Sequence, residues 1–184
     1  MAVYFIADTH FGHLDIIKHC NRPFNNADEM NRILRKNWNE RVKDNDDVYI
    51  VGDFCFRTDG VGEAIAIAKS LRGRKYLIIG NHDEKMLKDA RYRECFVEIC
   101  DIGKITLDGE RIVMCHYPIA EWDGFFRGSW HIYGHIHNAR NQAFATMRAH
   151  ERALNAGADI TNFAPVTFSE LKTLNQIYNQ IYNK

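Results

Sequence analysis

The chain has 184 residues, 46% of them hydrophobic, and only three prolines, which is enough to bury one sizeable core and too little for two ordinary domains. Its 24 lysines and arginines balance 24 aspartates and glutamates, so no overall field is available to hold nucleic acid by charge alone, and any phosphate must be gripped locally. The five cysteines, Cys20, Cys55, Cys95, Cys100 and Cys115, are odd in number and form no CxxC pair, which argues against a disulfide framework and against a thiolate zinc site.

The opening MAVYFIADTHFGH has a short apolar run that ends in Asp8, without a basic leader or a small-residue cleavage site, and does not read as a signal peptide. No stretch approaches transmembrane length. A reducing cytoplasm with mostly buried thiols is the expected setting. No repeat, low-complexity tract or linker interrupts the chain, so residues 1–184 read as a single domain. Strand candidates are AVYFIA before Asp8, DVYIVG before Asp53, KYLIIG before Asn81, RIVMC before His116 and WHIYG before His135. Each is too short and too rich in β-branched or aromatic residues for a good helix. Amphipathic helices fall between them. Residues 27–43 put Met30, Ile33, Leu34, Trp38 and Val42 on one face, and residues 61–72 do the same with Val61, Ala64, Ile65, Ala68 and Leu71, with Gly73 as a C-terminal cap. The DG step in ITLDGERIV predicts a β-hairpin just before His116. After Pro165, Thr167 to Glu170 match a capping box that opens a last helix carrying Leu171, Leu174, Ile177 and Ile181.

The chemistry-bearing residues follow one pattern. An apolar strand runs straight into a polar ligand-type residue in FIAD, IVGD, IIGNHD and VMCHYP. Strand ends at the carboxyl edge of an α/β sheet are where such groups converge on a rigid support. Asp8 with His10, and His135 with His137, form pairs at i and i+2 that can reach two sides of one metal cluster. Oxygen and imidazole donors without thiolate suit Mn, Fe, Zn or Ni better than a structural zinc centre. An isolated Asp or His after a strand is most often a turn former or helix cap; the ordered set of seven is not accounted for that way. In GNH and GHIH, the glycine before the ligand lets the backbone bend and approach an ion or phosphate.

D8-T-H10, G52-D53, G80-N81-H82-D83, H116 and G134-H135-I-H137 resemble the five ordered signature blocks of the calcineurin-like metallophosphoesterases, over residues 8–137. FGH at 11–13 and NRPF at 21–24 suggest a compact bacterial or phage branch without a cap domain. The resemblance implies an α/β fold: a four-layer αββα sandwich of two mixed β-sheets with a dinuclear metal site at their edge. It implies that Asp8, His10 and His137 hold one metal ion, that Asn81, His116 and His135 hold the other, and that Asp53 bridges them. The cofactors implied are two divalent ions, Mn first, with Fe, Zn or Ni as alternatives. A shared hydroxide would then be the nucleophile, since metal coordination lowers the pKa of bound water. His82 would be the catalytic residue, standing over the substrate rather than on a metal.

One block departs from the pattern. Many members have GDxxD, whose last Asp orients the catalytic His, whereas G52-D-F-C-F56 puts Phe56 there. Asp83 lies next to His82 and is the neighbouring carboxylate. His13 is a further substrate-facing candidate, and Arg22 and Arg57 are candidate phosphate clamps because a guanidinium fork matches a phosphate. His19, His131 and His150 are assigned to packing or surface roles. WDGFFRGSW at 122–130 is expected to wall the active-site groove, with Trp122, Phe125, Phe126 and Trp130 available to stack on a base, or else to form a small hydrophobic lid or dimer contact. The function expected is a metal-dependent phosphoester hydrolase acting on a phosphoester, a nucleotide among the options. An open site favours a phosphodiesterase over a phosphomonoesterase or protein phosphatase. A non-catalytic interaction protein should show broken ligand blocks, and none is broken. An amidohydrolase barrel would need roughly 250 residues.

Overall fold

The computed structural model describes residues 1–56 and 60–180. Arg57 and Ile181 lie outside the described residues. The elements run β1 (Val3–Ile6), α1 (Leu14–His19), α2 (Ala27–Arg41), β2 (Asp47–Val51), α3 (Val61–Ser70), β3 (Arg74–Ile78), α4 (Ala90–Arg93), β4 (Glu98–Cys100), β5 (Ile102–Leu107), β6 (Glu110–Cys115), β7 (Trp130–Tyr133), α5 (Gln142–Met147), β8 (Ala153–Asn155), β9 (Val166–Thr167) and α6 (Phe168–Gln180). Among the described residues, no helix is long and apolar enough to cross a membrane.

Two mixed sheets result. The first has the order β4-β3-β2-β1-β9, parallel except where β9 pairs antiparallel to β1. The second has the order β5-β6-β7-β8, antiparallel between β5 and β6 and parallel beyond. Alternation along the strands divides their side chains between three cores. On β1, Ile6 joins Met30, Leu34 and Trp38 of α2 and Ala64 and Ile67 of α3. Its neighbours Phe5 and Ala7 face the other way, against Met114 and Ile132 of the second sheet. On the far side of that sheet, Val113 and Tyr133 pack under Phe144 and Met147 of α5. Helix, sheet, sheet, helix is therefore the layer order. Both faces of both sheets are covered, which is why the strands read as near-continuous apolar runs.

Local signals explain most element ends. The side chain of Asn26 accepts from Glu29 N and starts α2. The predicted hairpin forms with a two-residue turn in which Asp108 and Gly109 both have positive φ, 51° and 82°, as a type I′ turn requires. Glu170 accepts from Thr167 N at 2.8 Å and donates its own N–H to Thr167 Oγ1 at 3.4 Å, closing the capping box. Gly73 is not the cap of α3, whose C-cap is Leu71; its φ of 84° and the 2.7 Å that would separate a Cβ from Val42 Cγ1 both select glycine there. Ile177 also departs from its expected place, being half exposed. The inner face of α6 uses Asn175 instead, which accepts from Asn155 N and donates to Asn155 O.

The 122–130 segment does not wall the groove. Trp122 is buried in the outer core beside Val113 and Tyr133, its ring 5.1 Å from His131, while Phe126 is 83% exposed. His131, fully buried, accepts from Ile119 N at Nε2, 3.1 Å, and donates from Nδ1 to Val113 O, 3.2 Å. Those roles need the neutral ring, and burial lowers its pKa from 6.5 to about 4. The folded value lies below the unfolded one, so the unfolded chain takes up the proton first on acidification. The contribution of His131 is therefore complete above about pH 6.5 and lost as pH falls through 4, on the order of 3 kcal/mol. Denaturant unfolding of the wild type and of His131→Phe from pH 8 to pH 4 should show the variant less stable at pH 8 but losing less on acidification. Parallel curves would count against this role.

Candidate metal centre and active site

At the carboxyl ends of the strands the backbone turns sharply. Asp8, His10, Asp53, His135 and His137 have φ of 54°, 51°, 53°, 70° and 50°, a left-handed conformation that costs a non-glycine residue on the order of 1 kcal/mol or more. The loops after β1 and β2 hold one another in it: Asp8 N donates to Gly52 O, His10 N to Asp53 O and Phe11 N to Phe54 O, each at 3.0 Å. The Asp8 carboxylate, fully buried, accepts His135 N at 3.0 Å on both oxygens and so ties the first sheet to the second.

The seven candidate ligands converge. Donor atoms of Asp8, His10 and His137 lie within 4.8 Å of one another, as do those of Asp8, Asp53 and His116. Asn81 Oδ1 is 3.1 Å from His116 Nε2 and 3.0 Å from His135 Nδ1. Asp53 Oδ2 stands between the two groups, 3.5 Å from His10 Nε2 and 3.4 Å from His116 Nε2. His116 Nδ1 sits 2.9 Å from Val51 O, which fixes that nitrogen as the donor and leaves Nε2 facing the site. His10 Nε2 is buried and makes no hydrogen bond. A buried imidazole nitrogen without a partner, among carboxylate, amide and imidazole donors, fits a divalent ion.

The charges are strongly coupled. Burial works against ionisation of Asp53, but the hydrogen bond and charge of His116, then the charge of His10, hold its carboxyl down at about 2. Burial likewise opposes a charge on His116, yet its contact with Asp53 and the charge of Asp8 raise it to about 9. In His10 burial dominates and lowers the ring well below the usual range.

Glycines before the ligands matter for space. A Cβ at Gly80 would lie 2.3 Å from Asp53 Oδ1, and one at Gly134 would lie 2.6 Å from Asp8 Oδ2. Neither has a positive φ, so close approach, and not a bend, is what excludes a side chain there.

The family model of the calcineurin-like phosphoesterase superfamily domain matches residues 1–164. The chain belongs to this superfamily. It is 34% identical over 165 residues to an uncharacterized protein of Methanocaldococcus jannaschii, with 90% of this chain and 86% of that protein covered. Over 181 residues it is 26% identical to the gene 66 protein of a Mycobacterium phage, with 85% and 86% covered. Among solved structures, a protein of unknown function from Aquifex aeolicus matches with a TM-score of 0.74 and 29% identity, over 94% of this chain and 98% of that one. Membership in the calcineurin-like phosphoesterase superfamily makes metal-dependent phosphoester hydrolysis the general chemistry, with divalent ions held by donors of the kind gathered here.

A cleft of about 350 Å³ opens over this superfamily site, lined by His10, His13, Asp15, Ile16, His19, Asp53, Asn81, His82, His135 and His137. His13 is there as expected, its Nδ1 3.2 Å from His10 Nδ1. Asp15 and His19 belong to it too: α1 is too short for a hydrophobic period to show which of its faces turns to the cleft. Arg22 is not a phosphate clamp. Its side chain is buried, and its donors are taken by Asp159, Thr9 O and Asp8 O. His82 meets the face or edge of Phe56, ring centroids 5.0 Å apart at 86°. Asp83 does not orient it. That carboxylate is fully buried and accepts from Gly80 N, Asp53 N and Phe54 N at 2.9, 2.8 and 3.0 Å.

Asp83 is thus a strut between two ligand loops, and burial raises its pKa to about 6 in spite of those three donors. Asp83→Asn keeps the shape but turns an amide N–H₂ toward a backbone N–H, which should cost roughly 1–3 kcal/mol of stability and weaken metal binding. Thermal unfolding and metal titration of the variant measure both; wild-type values in each would refute the strut.

Proposed function

We propose that this protein is a dinuclear phosphodiesterase in which Asp8, His10 and His137 hold one divalent ion, Asn81, His116 and His135 the other, and Asp53 spans the two. The observation that carries the reading is the position of Asp53 Oδ2, within 3.5 Å of imidazole nitrogens from both groups. Two ions held there would lower the pKa of a bound water towards neutrality and screen phosphoryl charge, Mn being the first choice for such donors. The buried residues fix the donors before substrate arrives, so little reorganisation is left for the reaction itself. Among the described residues lining the cleft there are six imidazoles and the carboxylates of Asp15 and Asp53, but no lysine or arginine. Such a lining favours the single charge of a diester over the double charge of a monoester.

The test is hydrolysis of chromogenic di- and monoesters by protein stripped with chelator and resupplied with Mn²⁺. Stripping should abolish turnover, Mn²⁺ should restore it, and the diester should be cleaved faster. Full activity in verified metal-free protein would refute metal dependence, and preference for the monoester would make the enzyme a phosphatase.

His82 supplies the proton to the leaving oxygen in this reading. Its backbone N–H is anchored on Asp53 Oδ1 at 2.9 Å, and its ring is 36% exposed, at the cleft, with Nε2 4.0 Å from Asp53 Oδ2. His82→Ala should keep both ions and the fold yet lose rate by a factor of about 10² to 10⁴. The loss should be smallest for a nitrophenol leaving group, which needs little protonation, and larger for an alkoxide. Equal losses for the two would argue against the acid role.

A further inference from the structure

Outside the seven candidate ligands, Arg22 is a heavily connected buried charge. Its Nε donates to Asp159 Oδ1 and its Nη2 to Asp159 Oδ2, both at 2.9 Å. Nη2 also reaches Asp8 O at 2.7 Å, and Nη1 reaches Thr9 O at 3.0 Å. Phe163 covers the guanidinium, its ring centroid 5.6 Å away. Asp159, just as buried, turns its Oδ2 to His137 Nδ1 at 3.2 Å. One guanidinium therefore joins the loop after β1, the turn after α1 and the loop after β8, and through Asp159 it reaches the 135–137 loop.

The consequence is specific to one half of the site. A carboxylate on His137 Nδ1 fixes the tautomer, so that Nε2 carries the lone pair, and makes that lone pair more basic. The Asp8 and Thr9 carbonyls are held in the strained turn from which Asp8 and His10 project. Among the described residues, neither Arg22 nor Asp159 bonds Asn81, His116 or His135: His116 leans on Val51 O and, at 3.4 Å, faces the Asp53 carboxylate, and His135 leans on Asn81.

We propose that Arg22 and Asp159 are a positioning pair that sets the affinity of the metal position formed by Asp8, His10 and His137, leaving the other position nearly untouched. The inference rests on the two-metal reading above. A buried carboxylate is tolerated because the guanidinium bonds both of its oxygens, and burial of Asp159 is outweighed by His137 and Arg22, which keep it below the usual carboxylate range.

Mn²⁺ titration of the full-length chain by calorimetry tests this. In the wild type two ions should bind. In Asp159→Asn one of them should weaken by 10- to 100-fold, while the other stays within about threefold. His137→Ala should weaken the same ion, and the double variant should be no worse than His137→Ala alone, because the pair acts through that imidazole. A purely structural role would weaken both ions together or give losses that multiply. If Asp159→Asn does not fold, Arg22→Lys serves: it keeps the buried charge but cannot bond two carboxylate oxygens and two carbonyls, and should show the same one-sided loss. Wild-type affinities, equal loss of both ions, or multiplying losses in folded variants would overturn the pair's role alone. A wild-type chain that bound no Mn²⁺ would overturn the two-metal reading and this inference with it.

Discussion

Everything at this site depends on backbone held where L-residues rarely go. Five of the nine non-glycine residues with positive φ among the described residues are candidate ligands. Each such position costs on the order of 1 kcal/mol or more, and such strain persists only where surrounding structure over-determines it. Here the loops after β1 and β2 continue to pair beyond their strands, and side chains finish the work. Asp83 takes three backbone N–H groups, Asp8 takes His135 N, and Arg22 takes two carbonyls. Buried polar groups that could have been orphans are instead the bonds that hold the turns, leaving His10 Nε2 aimed inward without a partner.

The sandwich is what makes this convergence possible. Asp8 and Asp53 leave the first sheet, and His116 and His135 leave the second, so the sheets must keep their separation and angle for the four to meet. The middle core, with Phe5, Val51, Ile78, Met114 and Ile132 fully or almost fully buried, sets that separation. Protein interiors are close-packed and transmit small volume changes, so a cavity in this layer should disturb the site more than one under α5.

Much of this was legible in the sequence because parallel strands covered on both faces must be apolar along their length, and each such run ends in a polar residue. The hairpin and the last helix were legible for equally local reasons, a DG turn and a capping box. The misreadings share another cause. Arg22 read as a phosphate clamp because a guanidinium fork fits a phosphate and a buried carboxylate equally well, and the partner, Asp159, is 137 residues away. Asp159 itself follows β8, a strand of only three residues, so no apolar run pointed to it. Aromatic residues at 122–130 suit a groove wall or a core; Trp122 fills a core because His131 and Phe125 offer it ring partners. The glycines in GNH and GHIH were read as allowing both a bend and a close approach; the close approach holds, to a carboxylate that only the folded chain brings near, while neither glycine has a positive φ.

Phe56 shows how a departure from the family pattern can preserve geometry while changing electrostatics. A carboxylate at that position would both orient the neighbouring imidazole and stabilise its protonated form. Phe56 offers the imidazole ring contacts instead. It stacks at a tilt on His13, centroids 4.1 Å apart, and meets His82 at 86°, while His13 itself leans on His10. Ring contacts of this kind are worth about 0.5–1.5 kcal/mol beyond the area they bury, enough to favour one orientation of a half-exposed ring. Asp53 Oδ2 stands 4.0 Å from His82 Nε2, and in the proposed site that oxygen would be shared with the ions.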